Sequence, residues 1–432
     1  MSVTVIGAGL AGCEAAWQLV KRGVPVTMIE QKPENFSPAH HSPLFAELVC
    51  SNSLRSDRLQ NAVGLLKEEM RRLDSLILSA ADKARVPAGG ALAVDRDTFS
   101  GYITETLKNH PLVTFEAREV REIPEGPAII ATGPLTSDAL ADAIAAMPEV
   151  STLNFYDAAA PIVTAESLDM TMVYRASRYG RGDDYLNCPM SQEEYDAFVM
   201  ALLEADTAPI HGFEEKKVFE GCMPVESMAR RGHMVLAFGP LKPVGLPDPR
   251  TGKDPYAVVQ LRQDDAAGTL YNLVGFQTHL RFPEQRRVFS MIPALRNADY
   301  LRYGKMHRNT YLDSPRLLDR YYRLRSEPRL SFAGQMTGVE GYVESCASGC
   351  LVGIETARRM LGLAPVDFPQ ETAIGALGLY VSGGAVSGSF QPMNINFGLI
   401  APLGYRVRGK REKNEAISKR SLDWFDSNAD QI

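Results

Sequence analysis

Three glycines near the start of the chain have the spacing that lets a backbone turn bind a diphosphate. Gly7, Gly9 and Gly12 follow the pattern Gly-x-Gly-x-x-Gly. The first glycine allows a tight turn, the second lets a phosphate approach the backbone, and the third lets a helix pack closely on a strand. The N–H groups and the positive dipole end at the start of that helix attract phosphates. The spacing therefore predicts a dinucleotide-binding turn that includes Ala8.

The segments around these glycines have the character that such a turn requires. A β-branched run at 2–6 precedes them, and residues 13–21 are typical of a helix. A second apolar strand at 25–29 ends in Glu30, whose carboxylate is placed to accept hydrogen bonds from the hydroxyl groups of an adenosine ribose. These residues alone do not distinguish FAD from NAD.

Two later turns of small residues favour FAD. One follows a short strand at 127–130, and the other lies between a strand at 330–333 and a helix expected from about 346 to 361. The N-terminus of that helix could face the flavin or the diphosphate. Both turns could also be ordinary connections of a doubly wound sheet. The residues expected to contact the cofactor in them are Ala131, Thr132, Gly133, Gly334, Gln335, Gly341 and Tyr342.

Two of the six cysteines lie in surroundings where a thiolate could act as a nucleophile. Cys50 is followed by the polar residues 51–53, and Cys222 follows Gly221 and precedes Glu226 by four positions. A thiolate is the strongest nucleophile that a side chain offers near neutral pH. A cysteine at an arbitrary position is more often a small buried hydrophobic residue, and this alternative stays open for both.

The composition limits the classes of protein. Six cysteines in 432 residues are too few for a disulfide framework and favour a reducing cytoplasm. Cys346 and Cys350 lack a second pair or a nearby His, so we expect no metal site. The apolar start of the chain is interrupted by glycines and has no basic segment before it, and no other apolar run reaches membrane-spanning length. We therefore expect neither a secretory signal nor a membrane anchor.

The formal net charge of −6 does not indicate a nucleic-acid-binding protein. Local basic clusters can nevertheless contact phosphate groups. Such clusters occur at 281–287, at 323–329 and at 406–413. For any one of them, ordinary solvated charge beside acidic neighbours is the simpler interpretation.

Six segments together resemble the hallmarks of the folate- and FAD-dependent tRNA uridine-5-methyltransferases. The resemblance runs from the first glycines to about Leu403, with the motifs of the family in order. Cys346 and Cys350 depart from it, because small or apolar residues are expected there. The segments are Phe45-Ala46-Glu47-Leu48-Val49-Cys50-Ser51-Asn52-Ser53-Leu54-Arg55 and the residues at 87–96, 219–226, 239–246, 274–280 and 391–398.

The resemblance implies an activity. Methylenetetrahydrofolate donates a one-carbon unit, reduced FAD carries it, NADPH or NADH supplies the electrons, and a uridine in the T loop of tRNA becomes 5-methyluridine. Carbon 5 of uracil becomes nucleophilic when a thiolate adds to carbon 6, and a second group must remove the proton from carbon 5. Our hypothesis is that Cys222 attacks the uracil and that Cys50 is the acid–base partner or a second thiol.

The resemblance also implies sites for the folate and for RNA. His279 lies within one of the segments and could stack on the pterin of the folate. RNA must be bound through phosphate contacts and a pocket for an extruded base. The candidate substrate-binding residues are His279, Glu340, Asn396, Arg281, Arg287, Arg406 and Lys410.

We expect an α/β protein with a discontinuous Rossmann-like FAD-binding domain at 1–155 and 326–432 and an inserted α/β domain at 156–325. Within the insertion, residues 185–190 suggest a loop and residues 193–205 a helix. The oligomeric state, monomer or homodimer, stays open. The rival interpretations are a related flavin-dependent enzyme that modifies the wobble uridine of tRNA, a flavin oxidoreductase of small molecules, and a non-catalytic flavin-containing RNA-binding protein.

Overall fold

The computed structural model describes residues 2–37, 39–147, 150, 152–208, 223–265, 267–383, 390 and 392–432, with the backbone alone at 152–159 and 305–310. The strands are β1 (Val3–Ile6), β2 (Val26–Glu30), β3 (Ser53–Ser56), β4 (Arg85–Val86), β5 (Ala91–Val94), β6 (Val113–Ala117), β7 (Ala128–Ile130), β8 (Thr152–Ala159), β9 (Ile162–Thr164), β10 (Tyr174–Arg175), β11 (Tyr185–Met190), β12 (Ala257–Gln263), β13 (Leu270–Leu273), β14 (Tyr300–Arg302), β15 (Lys305–Leu312) and β16 (Leu330–Phe332). The helices are α1 (Leu10–Lys21), α2 (Ala62–Arg72), α3 (Leu76–Lys83), α4 (Arg96–Lys108), α5 (Asp138–Ala145), α6 (Gln192–Glu204), α7 (Val225–Arg230), α8 (Val235–Phe238), α9 (Phe282–Phe289), α10 (Ser314–Leu317), α11 (Tyr342–Met360), α12 (Ala373–Val381) and α13 (Lys410–Asn428).

The first sheet is parallel and combines both ends of the chain. Its strand order is β16, β7, β1, β2, β6, and each neighbouring pair is parallel. The strands predicted from apolar runs are confirmed as β1, β2, β7 and β16. Because β16 returns to pair with β7, the Rossmann-like fold is discontinuous, as the sequence predicted.

A second, antiparallel sheet lies in the middle of the chain and has its own core. Its strand order is β10, β11, β12, β13, β9, β14. The buried residues of this core fall between Val163 and Ala298, and α6, α7 and α9 contribute to it. The loop expected at 185–190 is wrong, because this segment is the strand β11, paired with β10 and β12. Asn187 is tolerated there because its side-chain amide donates to the carbonyls of Tyr174 and Ala176.

A two-stranded ribbon connects the two parts. Strands β8 and β15 are antiparallel and pair from Thr152 with Leu312 to Ala159 with Lys305. Leu317 and Tyr322 already belong to the core of the parallel sheet. The chain therefore returns to that core near Leu312, which lies before the boundary expected at 325.

The long helix α11 packs directly on α1. A Cβ atom at Gly349 would lie 2.1 Å from the carbonyl oxygen of Ala11, and one at Gly353 would lie 2.6 Å from that of Ala15. The two backbones can approach this closely only because both positions are glycine. The helix starts at Tyr342, four residues before the start that the sequence predicted, so its N-terminus lies directly after Gly341.

Candidate active site

The first glycine turn brings three backbone segments together. Gly7 has φ +97°, and a Cβ atom there would lie 2.6 Å from the carbonyl oxygen of Ala131. A Cβ atom at Gly12 would lie 1.9 Å from the carbonyl oxygen of Gly7. One at Gly9 would meet no described protein atom within 4 Å. Gly7 and Gly12 are therefore needed for packing, whereas Gly9 leaves space beside the backbone.

That space belongs to a cleft at the ends of β1 and β2. Gly7, Ala8, Gly9, Glu30, Ala131 and Thr132 line it, together with residues of the segments that follow β6 and β7. Gly12 and Gly133 are not in the lining. Gly12 acts through packing, and Gly133 has the positive φ of +72° that its turn requires.

Glu30 lies on the wall of this cleft and is held by the backbone. One carboxylate oxygen accepts the N–H of Ala8 at 2.6 Å, and the other accepts the N–H of Lys32 at 3.0 Å. Each oxygen has a further lone pair for a ribose hydroxyl. No described side chain caps the N-terminus of α1, which leaves its first N–H groups for an anion. These donors, this acceptor and the space at Gly9 fit the adenosine diphosphate half of FAD.

The second predicted turn precedes α11, and several of its residues bind one another. The backbone N–H of Gly334 donates to Ser348 Oγ at 2.7 Å. The Gln335 amide donates to the carboxylate of Glu340 at 3.0 Å. Gly341 has φ +107°. The structure thus places Glu340 beside Gln335, directly before the N-terminus of α11.

Two of the six segments that carry the family resemblance meet at this helix start. Arg55 forms an ion pair with the buried Glu344 in the first turn of α11. The same carboxylate accepts the N–H of Ile395 at 2.9 Å. The Asn394 amide donates to the carbonyl of Glu340 at 2.6 Å. By contrast, the exposed Asn396 uses its side chain within its own loop, where it accepts the N–H of Gly398.

Tyr342 positions the loop that carries Cys50. Its hydroxyl oxygen accepts the backbone N–H of Cys50 at 2.7 Å and that of Ser51 at 3.2 Å. Burial raises the pKa of the Tyr342 hydroxyl, so the group stays protonated and neutral at neutral pH. Cys50 itself is partly buried. The N-terminus of α11 therefore holds both the expected flavin turn and the candidate thiol.

Arginines from both parts of the chain surround the Cys50 loop. Arg262, on β12, donates to Ser51 Oγ at 2.5 Å and to Asn52 Oδ1 at 3.1 Å. Arg96 forms an ion pair with Asp264 at 3.1 Å. Arg302, on β14, is close enough to Cys50 and Tyr342 to interact with them electrostatically, and burial lowers the pKa of its guanidinium group. The loop thus lies where the two domains meet, next to several positive charges.

The loop that carries His279 is fixed by Glu226. The buried carboxylate of Glu226 accepts the backbone N–H of His279 at 2.7 Å and the hydroxyl of Thr278 at 2.9 Å. Burial raises the pKa of this carboxyl group. The backbone of Ala208 donates to the carbonyl of His279, and that of Val225 to the carbonyl of Gln277. Residues 206–208 and 223–226 therefore both contact this loop.

Cys222 lies outside the described residues, so its predicted place in the site stays a prediction. Four cysteines have no predicted catalytic role, and all four are buried and form no disulfide: Cys13, Cys188, Cys346 and Cys350. Burial raises the pKa of each of these thiols. They are therefore packing residues.

The sequence is similar to proteins of known name over its whole length. A family model described as "Glucose inhibited division protein A" matches residues 2–364. A Listeria innocua protein named methylenetetrahydrofolate–tRNA-(uracil-5-)-methyltransferase TrmFO is 60% identical over 432 residues, which are 100% of this chain and 99% of that protein. A protein of the same name from Staphylococcus aureus is 59% identical over 427 residues, 99% of this chain and 98% of that protein. The chain belongs to the TrmFO family.

A solved structure shows a related fold. GidA of Aquifex aeolicus superposes with a TM-score of 0.72 and 14% identity, covering 99% of this chain and 73% of that one. At this identity the likeness concerns the fold alone. It agrees with the discontinuous Rossmann-like sheet described above, and the family predicted from the sequence segments is confirmed.

The candidate site of this TrmFO-family chain contains residues for which the sequence predicted no role of their own. Arg55, Arg96 and Glu226 end three of the six family segments, so a signal for them was present. Arg262 and Arg302 lie outside those segments. Their role depends on how the second sheet packs on the first, and no local pattern indicates this.

The predicted RNA-contacting residues lie in two places on this TrmFO-family chain. Arg281 is the N-cap residue of α9, and Arg287 lies in the last turn of this helix, where it is paired with Glu284 at 2.6 Å. Arg406 and Lys410 are exposed at the start of α13. Among the described residues, no hydrogen bond or ion pair links the two groups.

Two features are absent from the described part of the chain. No group of three or more His, Cys, Asp or Glu residues in it could hold a metal ion. None of its helices is long and apolar enough to cross a membrane.

Proposed function

We propose that the protein methylates carbon 5 of a T-loop uridine in tRNA, with FAD as cofactor, methylenetetrahydrofolate as the one-carbon donor and NADPH or NADH as reductant. The observation that carries the proposal is the identity of about 60% over the full length to proteins named for this reaction. The meeting of the Cys50 loop with the expected flavin turn at the start of α11 supports it.

The residues fit FAD at the first turn and at the start of α11. When bound, FAD supplies electrons and carries the one-carbon unit. The turn around Gly9 and the N-terminus of α1 would hold the diphosphate, and Glu30 would hold the ribose. The second and third turns, with Thr132, Gln335 and Gly341, would line the remainder of the cofactor.

The two cysteines supply what uracil chemistry requires. In the proposal, the thiolate of Cys222 adds to carbon 6, so that carbon 5 becomes nucleophilic and can accept an electrophilic carbon. Cys50 then receives the proton that leaves carbon 5. Positive charge from Arg262 and Arg302 next to Cys50 stabilises a thiolate and a developing enolate oxygen.

His279 would stack on the pterin of the folate, in a position set by Glu226. Glu340 is the second candidate folate contact, since it lies before the start of α11. Asn396 is a weaker candidate for a folate contact, because its side-chain amide is already hydrogen-bonded within its own loop. Arg281, Arg287, Arg406 and Lys410 remain candidates for phosphate contacts, although Glu284 already neutralises Arg287.

The domain division and the cellular site complete the proposal. The cofactor domain comprises about 1–155 and the chain from about 312 onward, and the insertion between them carries His279. A protein that acts on tRNA and keeps reduced thiols is expected in the cytoplasm.

The experiment uses purified protein, an unmodified tRNA transcript, methylenetetrahydrofolate labelled in the methylene carbon, and NADPH or NADH. The expected result is labelled 5-methyluridine from the T loop, and none from a transcript with cytidine at that position. Label at the wobble uridine would favour the related modification enzyme. A yellow protein that oxidises NADPH without labelling either transcript would favour a small-molecule oxidoreductase. Either outcome would overturn the proposal.

A further inference from the structure

Three aromatic rings form a column at the edge of the second sheet. Phe282 stacks on Tyr303 with ring centroids 5.0 Å apart and an interplanar angle of 18°. Tyr303 stacks on Tyr300 at 5.1 Å and 13°. Phe282 is the first residue of α9 and is 51% exposed, so the outer end of the column is accessible to a further planar group.

The surface around this ring carries positive charge. The side chains of Arg281 and Arg286 are exposed and form no ion pair within the part of the chain that the structure describes. The nearest acidic residue along the helix, Glu284, is already paired with Arg287. Arg286 is also close enough to Tyr300, at the inner end of the column, to interact with its hydroxyl. An exposed apolar ring between two cations is suited to an anionic aromatic ligand.

The column leads toward the candidate active site. Tyr300 begins β14, and Arg302 ends it beside Cys50 and Tyr342. Phe282 follows by three residues His279, whose backbone N–H is bound by Glu226. The Tyr300 end of the column is thus connected to the candidate site through β14. The Phe282 end lies at the surface.

We propose that the exposed face of Phe282 stacks on an unpaired base of the tRNA loop, next to the uridine that enters the site. Aromatic side chains that bind single-stranded RNA stack on the faces of bases, and neighbouring arginines contact the phosphates. A base has the planar shape that continues the column, and its phosphates match Arg281 and Arg286. The inference rests on the proposed function, because it assigns a base-binding position to the same substrate.

The test measures the affinity of the FAD-loaded protein for a T-loop RNA hairpin by fluorescence anisotropy. Phe282→Ala should weaken binding by about tenfold, within the range for the loss of one base–aromatic stack. Phe282→Trp should keep the wild-type affinity, because the indole presents an equal or larger face. Leu301→Ala is the matched control, since it removes an exposed apolar side chain from β14, the strand that carries Tyr300, and should leave affinity and methylation unchanged.

Charge is tested separately. Arg281→Gln and Arg286→Gln should each reduce the slope of log Kd against log salt by about one. Equal RNA affinities of wild type and Phe282→Ala would overturn the inference, and so would an affinity of Phe282→Trp as low as that of Phe282→Ala. If the wild-type protein still methylates tRNA, the proposed function stays intact in either case. Wild type that neither binds nor methylates tRNA would refute the proposed function itself. A change in self-association with unchanged RNA affinity would identify the ring as a protein contact and would also overturn the inference.

Discussion

At the scale of single residues, the three glycines of the first turn have different physical roles. Gly7 and Gly12 are fixed by backbone contacts, whereas Gly9 lines the cleft without such contacts. The sequence predicted the turn and its ligand class from spacing alone. It also assigned phosphate approach to Gly9 and packing to Gly12, but it could not show that Gly7 packs against Ala131, because this contact depends on how the segment after β7 lies against the turn.

Gly9→Ala should therefore remove FAD without unfolding the protein. Its methyl group meets no described protein atom within 4 Å but occupies the space that the diphosphate needs. We expect FAD affinity to fall by about tenfold or more, on the scale of one lost charge-assisted hydrogen bond. The measurement is a FAD titration of apoprotein, with urea unfolding of the same apoprotein. This assignment would be contradicted if the free energy of unfolding fell by as much as the free energy of FAD binding.

Tyr342→Phe should slow methylation because the N–H groups of Cys50 and Ser51 lose their acceptor. An unsatisfied buried donor costs about 1–3 kcal/mol, which corresponds to about tenfold or more in rate if the loop is displaced. The readouts are the rate of label transfer and the rate of alkylation of Cys50. Tyr195→Phe is the control, because its hydroxyl accepts the N–H of Ala237 away from Cys50. Equal effects of the two variants would show that Tyr342 has no special role.

The sequence predicted part of this thiol site. Cys50, Tyr342 and Glu340 were predicted site residues, and the structure brings their segments together. Arg262 and Arg302 were not, because each reaches the Cys50 loop from a strand of the second sheet. Contacts of that kind depend on tertiary packing and leave no local pattern in the sequence.

At the scale of elements, apolar runs located the parallel strands, because strands buried on both faces are almost continuously hydrophobic. The strand β11 was missed because Asn187 and Pro189 interrupt its apolar run. The bonds from Asn187 to neighbouring carbonyls satisfy its amide, and these bonds become visible only in the folded sheet.

The contact of α1 with α11 gives a sharp test of helix packing. Alanine normally stabilises a helix relative to glycine by up to about 1 kcal/mol. Gly349→Ala should do the opposite, since its Cβ atom would lie 2.1 Å from the carbonyl oxygen of Ala11. We expect the free energy of unfolding to fall by about 1–3 kcal/mol. Urea unfolding measures it.

The matched control for this contact is Gly101→Ala. Gly101 is in α4, and a Cβ atom there would meet no described atom within 4 Å. This variant should be neutral or slightly stabilised. If both variants shift the unfolding midpoint in the same direction, the close approach of α1 and α11 is not needed for stability.

At the scale of the whole molecule, Glu69 joins three helices that are distant in sequence. Its carboxylate accepts the N–H groups of Ala373 and Ile374 at the start of α12, and the hydroxyl of Ser421 on α13. Burial raises the pKa of Glu69 to about 7. The folded protein therefore binds a proton at the Glu69 carboxylate more tightly than the unfolded chain does.

The contribution of Glu69 to stability should accordingly be largest below about pH 4.5 and be lost as the pH rises through about 7. Glu69→Gln should flatten the fall of the unfolding free energy between about pH 5 and 8. Glu68→Gln, a partly exposed neighbour on α2, should keep the wild-type slope. Unfolding curves at several pH values provide the comparison, and identical slopes for all three proteins would contradict this role of Glu69.

The central claim is that a cysteine thiolate of this protein adds to a uracil of tRNA, and covalent trapping tests it most directly. A tRNA with 5-fluorouracil in the T loop blocks the loss of the group at carbon 5, so that a thiol adduct accumulates. The proposal predicts a protein–RNA adduct that survives Cys50→Ala and vanishes with Cys222→Ala. The reverse pattern would exchange the roles of the two cysteines, and the absence of an adduct in the wild-type protein, despite bound FAD and labelled folate, would contradict the claim.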